Sequence, residues 1–296
     1  MDVILLLELA VNGIFVGLMY ALVAAGMVLI YKTSGIANLA QGALAMTGAY
    51  VVVMLASAGL GLPIWAAVPL AMVVMFAVGA GIERLALRRM IGQPVIMVIM
   101  LTLGLEIFLR GLLPGVFGAS VKRLDIGIPN APLFLGELLV SRAILIGGGV
   151  SLALILLSIL LFNSRFGIIM RAVSDNQTAS WSVGIRVERA IAVAWGLSAA
   201  MATTSGVLWG ATQGVDWSLS LLLIKALAIA ILGGLDSIVG VLIAGVVVGL
   251  AESMATGILD PIVGGGTRDV VASVIIVVTL LVRPHGLFGR EHIERV

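Results

Sequence analysis

The chain has 296 residues, 61% of them hydrophobic and only 11% charged, with no cysteine. A mean hydropathy of +1.23, set against about 25% charged residues in a soluble domain, places it among polytopic membrane proteins embedded in lipid. The missing cysteine excludes disulfides, thiolate metal sites and cysteine nucleophiles, and a net charge of only +2 gives no reason to expect a nucleic-acid partner.

The opening run, MDVILLLELAVNGIF, lacks the basic n-region of a signal peptide and is too long for an h-region. It is expected to be a retained first span. A membrane helix needs roughly 20 mostly apolar residues to cross a hydrocarbon core about 30 Å thick. Nine segments qualify: about 5–31, 37–59, 62–82, 94–113, 142–163, 190–211, 218–235, 238–257 and 269–283. The expected fold is therefore an all-α polytopic bundle of about eight to ten spans, forming one transmembrane domain over residues 1–296.

Orientation follows from the placement of Lys and Arg, which favour the cytoplasmic side. With an outside N-terminus, the inside regions carry Lys32, Arg84, Arg88, Arg89, Arg165, Arg171, Arg186, Arg189, Arg283, Arg290 and Arg295. That is eleven of the 17 basic residues. The outside regions carry Lys122, Arg123, Arg142 and Arg268, so a cytoplasmic C-terminus is expected.

Two segments interrupt their hydrophobic runs with small and polar residues. The first, Ile30–Tyr50, contains Gly35, Asn38, Gln41, Gly42, Thr47 and Gly48. The second, Ala230–Glu252, contains Gly233, Gly234, Asp236, Ser237, Gly240, Gly245 and Gly249. Irregular backbone at membrane depth survives only inside protein or along a wet cavity, and Gly-interrupted helices in each half point to a transport path. Small residues also serve close helix packing, and for most of these glycines the two readings stand level. For the cluster from Asn38 to Gln41 a path is favoured. The candidate path residues are Asn38, Gln41, Gly42, Thr47, Gly233, Gly234 and Ser237.

Charges inside spans are costly, about 2.5–3.5 kcal/mol each at a helix centre. Glu106 and Arg110 stand i,i+4 in the favourable order and read as a self-neutralised pair near the outer end. Lys225 and Asp236 share a helix face but lie about three turns apart, so each needs its own partner. Glu252, Glu8 and Asn12 offer no partner that the sequence identifies. The outer loop 114–141, with Pro114, Pro129 and Pro132, reads as an irregular cap holding a short hairpin or helix.

No catalytic constellation occurs. His285 and His292 fall in the tail, there is no H-E-x-x-H or G-x-S-x-G, and none of Lys32, Lys122 and Lys225 follows a phosphate-binding glycine loop. No cofactor or metal is expected, and the chain has no P-loop route to ATP hydrolysis.

The loop 164–189 is a polar island: SRFGIIMRAVSDNQTASWSVGIRVER, with four arginines. Ser174 and Asp175 are good N-cap residues and Gly184 suits a helix C′ position. Between them a two-turn helix carrying Ala179, Trp181 and Val183 is expected, too short to be stable alone. It either lies on the membrane surface or docks into a cytoplasmic partner. The residues themselves leave both open.

Here a resemblance enters. The island is similar to the coupling loop of ABC-importer permeases of the branched-chain amino acid (LIV) type. Their pattern, roughly G-x-x-x-R-A, an acidic or amide pair, A, then G-[IV], matches Gly167, Arg171, Ala172, Asp175, Asn176, Ala179, Gly184 and Ile185. Gly17–Tyr50 resembles the family's N-terminal signature, Lys225–Gly245 its glycine-rich segment and RPHGLFG (Arg283–Gly289) its terminal motif. Three departures from the pattern occur. Ala43 and Ala45 follow Gln41-Gly42 where an acidic residue is usual, Asp236 replaces a glycine and Val239 a proline.

The resemblance, to the shorter of the two permeases of such systems, implies a bacterial inner-membrane subunit importing branched-chain or related amino acids. It also implies a second homologous permease, two cytoplasmic ATPases and an extracytoplasmic substrate-binding protein as partners. ATP-driven closure of the ATPases would move the docking helix and tilt the attached spans. Other readings are a permease for urea or short amides, an ion-coupled carrier acting through Lys225, Asp236 or Glu252, and a channel with no energised step.

Overall fold

The computed structural model describes residues 3–57, 60–90, 93–128, 132–135 and 138–289. Of the positions discussed above, Pro129, Arg290, His292 and Arg295 lie outside these residues. Eleven α-helices are found among the described residues. They are α1 (Val3–Ser34), α2 (Gln41–Ser57), α3 (Ile64–Leu85), α4 (Val95–Phe117), α5 (Arg142–Asn163), α6 (Arg165–Asp175), α7 (Gln177–Ser182), α8 (Val187–Gln213), α9 (Leu222–Gly233), α10 (Ile238–Val263) and α11 (Thr267–Val282). Short 3-10 turns occupy Leu87–Met90 and Trp217–Leu221.

Each of the nine expected segments carries helix among its described residues. Among the described residues six helices are long and apolar enough to cross a membrane, namely α1, α3, α4, α5, α8 and α10. The other three, α2, α9 and α11, have 17, 12 and 16 residues. The sequence overestimated the regular length of α2 and α9 because apolar composition continues through the turns that bound them: a 3-10 turn leads into α9, and the link 35–40 precedes α2.

Helices α1 and α8 form the centre and are surrounded by protein along most of their length. Lipid is as apolar as a Leu side chain, so hydrophobicity alone cannot drive helix onto helix in a bilayer; close packing through small residues does. The α1–α10 pair shows this directly. A Cβ added at Gly17 would lie 2.1 Å from the Gly245 carbonyl oxygen, and one added at Gly249 would lie 2.3 Å from the Gly13 carbonyl oxygen. The two G-x-x-x-G steps thus meet reciprocally, and Ser253 Oγ donates to Leu9 O at 2.7 Å beside them. Helices α2 and α8 meet the same way, with a Cβ at Gly206 falling 1.9 Å from the Ala45 carbonyl.

Within the loop 114–141 the described residues form a hairpin, β1 (Leu133–Leu135) antiparallel to β2 (Leu138–Val140). Glu8 Oε1 accepts from Leu139 N at 2.7 Å, while Asn12 Nδ2 donates to Leu139 O at 3.4 Å. Two residues that the sequence left without partners therefore pin the cap to the start of α1. Glu106 and Arg110 pair as expected, at 3.5 Å.

Candidate functional site

Four parts of the chain meet at one end of the bundle: the end of α1, the α3–α4 connection, α6–α7, and the segment after α11. They enclose two cavities. The larger, of about 680 Å³, is walled by Lys32, Arg171, Asp175, Ile231, Asp236 and His285 among others. The smaller, of about 160 Å³, is walled by Ser34, Glu83, Arg88, Gln177 and Trp195 among others, and Ala37 borders both. Thus the link between α1 and α2 separates them. These ends are also the basic ones, which is the arrangement expected of the cytoplasmic side.

The polar island builds this end. Gly167 has no room for a side chain, since a Cβ there would lie 1.9 Å from the Phe162 carbonyl oxygen. Arg171 Nη1 donates to that same carbonyl at 2.7 Å, capping α5 and fixing the α5–α6 corner. Ala172 O accepts from Ser180 Oγ at 2.9 Å, which ties α7 back onto α6. The expected N-caps Ser174 and Asp175 instead finish α6. Asn176 caps α7, its Oδ1 accepting from Ala179 N at 2.9 Å, because α6 runs on to Asp175 and leaves only Asn176 between the helices. Gly184 ends the unit with φ +84°, as its C′ position requires.

The six-residue α7 turns only Ser180 inward. Ala179 is exposed, Trp181 is 40% exposed and Val183 74% exposed. These apolar side chains, on a short helix and its C-cap residue held from behind by a hydrogen bond, are presented to the outside of the bundle and not used in the fold.

The path candidates fall into two groups. Asn38 and Gln41 are buried and bonded to each other, Asn38 Nδ2 donating to Gln41 Oε1 at 3.2 Å. Gln41 Nε2 donates to Ser198 O at 3.4 Å, and Ser198 Oγ lies 2.8 Å from Gly26 O and 2.9 Å from Gln41 Oε1. These amides join α1, α2 and α8. Gly42 abuts the Ser220 carbonyl, while Thr47 Oγ1 donates to Ala43 O at 2.6 Å. Gly233 packs on Gly240, Gly234 turns the corner at φ +96°, and Ser237 caps α10 through Gly240 N at 3.0 Å. Their chain neighbours, not they themselves, border the larger cavity: Gly35 and Ala37 from one segment, Leu235 and Asp236 from the other. The structure therefore brings the two interrupted segments to one space.

Nearer the other end lies a charge cluster whose Lys225 and Glu252 are buried while Arg268 and Asp269 are exposed. Lys225 Nζ stands 2.7 Å from Glu252 Oε1 and 2.9 Å from Asp269 Oδ1, and donates to Arg268 O at 2.9 Å. It binds α9, α10 and α11 together. Lys225 and Asp236 do not pair with each other, as their spacing implied. Sequence reasoning passed over Glu83, Arg88 and Trp195 at the smaller cavity; the one available signal was an acid, Glu83, set just before three arginines in an otherwise apolar helix.

The family model described as "branched-chain amino acid transport system / permease component" matches residues 9–282. The chain is 30% identical to the high-affinity branched-chain amino acid transport system permease protein LivH of Escherichia coli (strain K12), over 96% of each chain. It is 31% identical to the corresponding permease protein BraD of Pseudomonas aeruginosa, over 98% of each. It is 32% identical to a probable LivH of Methanocaldococcus jannaschii, over 90% of this chain and 88% of that one.

Proposed function

This chain belongs to the family of branched-chain amino acid transport system permease components, and on that premise we propose that it imports branched-chain or related amino acids as the permease subunit of an ABC importer. It is a transport subunit and not an enzyme. Its proposed partners are a second homologous permease, a pair of cytoplasmic ATPases and an extracytoplasmic substrate-binding protein. Its proposed setting is a bacterial inner membrane, with the N-terminus outside and the C-terminus in the cytoplasm.

The observation that carries the coupling role is the exposed apolar surface of α7 and its C-cap residue. Ala179, Trp181 and Val183 stand exposed at the basic end of the bundle, on a helix fixed at both ends by Asn176 and Gly184. A groove on an ATPase would cover that face. Because Arg171 ties α6 to the end of α5, a push on α7 passes into a spanning helix. The ATPase must hold the two permease states with different free energies for this to drive transport.

Trp181→Asp should reduce ATPase co-purification by about tenfold or more, the effect of losing an aromatic anchor worth at least 2 kcal/mol, while the permease keeps its elution profile. Full recovery of the ATPase with this variant would exclude α7 as the contact. For the path, the larger cavity is the proposed inner vestibule. Leu235→Trp, which fills it from the α9–α10 corner, should slow uptake with ATPase binding retained; unchanged uptake removes the cavity from the route.

A further inference from the structure

Two arginine clusters far apart in the sequence come together at the basic end of the bundle. Helices α3 and α8 run antiparallel in close contact. A Cβ on Gly79 would lie 2.5 Å from the Trp195 carbonyl oxygen and one on Gly196 would lie 2.7 Å from the Phe76 ring, while Thr204 Oγ1 donates to Met72 Sδ at 3.5 Å. Seven residues on from Phe76 and seven back from Gly196, about two turns, this register sets Glu83 level with Arg189. Glu83 and Ile191 do border the same small cavity. The stretch from Arg84 to Arg89 therefore lies beside the stretch from Arg186 to Arg189. Arg88 is committed to Glu83 at 3.0 Å, which holds the 3-10 turn in place. The other arginines of these stretches, Arg84, Arg89, Arg186 and Arg189, are exposed. Among the described residues none of them enters an ion pair, and the one acid between them, Glu188, is half-buried.

The patch continues into apolar surface on a spanning helix. On α3, Val74, Val78, Gly81 and Leu85 follow at steps of four, three and four, and so share one stripe. Val74 is 39%, Val78 38% and Leu85 68% exposed, and a Cβ on Gly81 would meet nothing within 4 Å. The bare glycine notches the stripe one turn before the arginines begin. We propose that this surface holds an anionic phospholipid, its headgroup on Arg84, Arg89, Arg186 and Arg189 and an acyl chain along the α3 stripe. Basic clusters at the ends of spans attract anionic headgroups, and guanidinium forks match phosphate oxygens two at a time. An acidic protein surface would satisfy the arginines but leave the notched stripe unused. Bound there, the lipid ties the α3–α4 connection to the start of α8. Gln177 of α7 borders the cavity walled by Glu83 and Arg88, so the lipid also neighbours the helix assigned above to ATPase docking. The inference stands whatever cargo the permease carries.

The test titrates dioleoyl phosphatidylglycerol and dioleoyl phosphatidylcholine, which share their chains, onto the full-length permease in detergent and counts bound lipid by native mass spectrometry. Phosphatidylglycerol should bind saturably and more tightly than phosphatidylcholine. Each of Arg84→Gln, Arg89→Gln, Arg186→Gln and Arg189→Gln should weaken phosphatidylglycerol about fivefold. Phosphatidylcholine binding should stay at the parent level, which also reports that each variant is folded. The quadruple variant should lose the preference altogether. Arg165→Gln, at the start of α6 on the α5 side of α8, where Ser158 meets Met201, should change neither lipid. Equal affinity of the parent for both lipids, a preference that survives in the quadruple variant, or an equal loss from Arg165→Gln overturns the site. Repeating the titration with the ATPases bound separates lipid from protein. Retained phosphatidylglycerol supports the lipid site, whereas its displacement assigns the arginines to the ATPase contact and overturns the proposal.

Discussion

Gly17→Leu should abolish recovery of folded permease from detergent extracts. The helices α1 and α10 approach so closely that even a Cβ at this position would sit 2.1 Å from the Gly245 carbonyl and 3.2 Å from Gly249 Cα. The obstacle is backbone on a rigid helix, so no side chain can rotate away. Relief requires the two axes to separate, and separation also opens the Gly13–Gly249 approach and the Ser253–Leu9 hydrogen bond. Overpacking costs typically 1–3 kcal/mol where side chains can adjust; with backbone on both sides and the neighbouring steps of the seam opening together, the effect should lie at or above the top of that range. Gly104→Leu is the comparison, because a Cβ there meets nothing within 4 Å. The readout is monodisperse yield by size-exclusion chromatography together with the thermal midpoint. Parent-like values for Gly17→Leu would show that α1 and α10 do not pack in this register.

Lys225→Met should be the most damaging single change among the charged residues of the membrane domain. It leaves Glu252, 1% exposed, without the ammonium 2.7 Å away, and with Arg268 Nε at 3.9 Å as its remaining cation among the described residues. Removing one member of a buried ion pair costs about 3–5 kcal/mol, whereas replacing both with apolar groups is often neutral. Three outcomes follow in order of stability. Lys225→Met falls furthest. Glu252→Leu falls less, because Lys225 retains Asp269 and the Arg268 carbonyl. The double variant recovers most of the loss. A thermal unfolding series on the purified permease reads all three, and a double variant no better than Lys225→Met alone would show that the cluster is not acting as a charge pair.

How far the sequence reached can be judged from these same residues. Helix positions were legible because apolar runs of 16 residues or more leave little choice in a bilayer. The charge asymmetry was legible because each basic cluster sits in a connection. Gly184 could be placed as a helix stop because its φ demand is local. What the sequence could not supply was the partner of anything distant in the chain. Gly245 and Gly249 stood out as small, but that they face Gly13 and Gly17 depends on the crossing of two helices more than 200 residues apart. The same holds for Glu252, whose ammonium comes from α9 and whose neighbouring charges come from the start of α11. Asn38 and Gln41 read as path residues because they fall in a glycine-interrupted segment at membrane depth. In the fold their hydrogen bonds tie them to each other and to α8, and the space they suggested lies beside their neighbours. The one-residue shift of the α7 cap, from Asp175 to Asn176, arose because α6 was not foreseen as a helix of its own.

The glycine-rich segment after α11 has a bearing on biogenesis. Leu287 N donates to Leu232 O at 2.8 Å and Phe288 N to Gly233 O at 3.3 Å, and a Cβ on Gly286 would strike the Ile231 carbonyl at 2.4 Å. The last carbonyls of α9 are thus satisfied by amides that leave the ribosome only after α10 and α11 have been made. Until then those oxygens must borrow water at the membrane surface, since dry lipid offers them nothing. The α9–α10 corner is therefore closed only once Leu287 and Phe288 have been made, like a clasp fastened after α10 and α11 are in place.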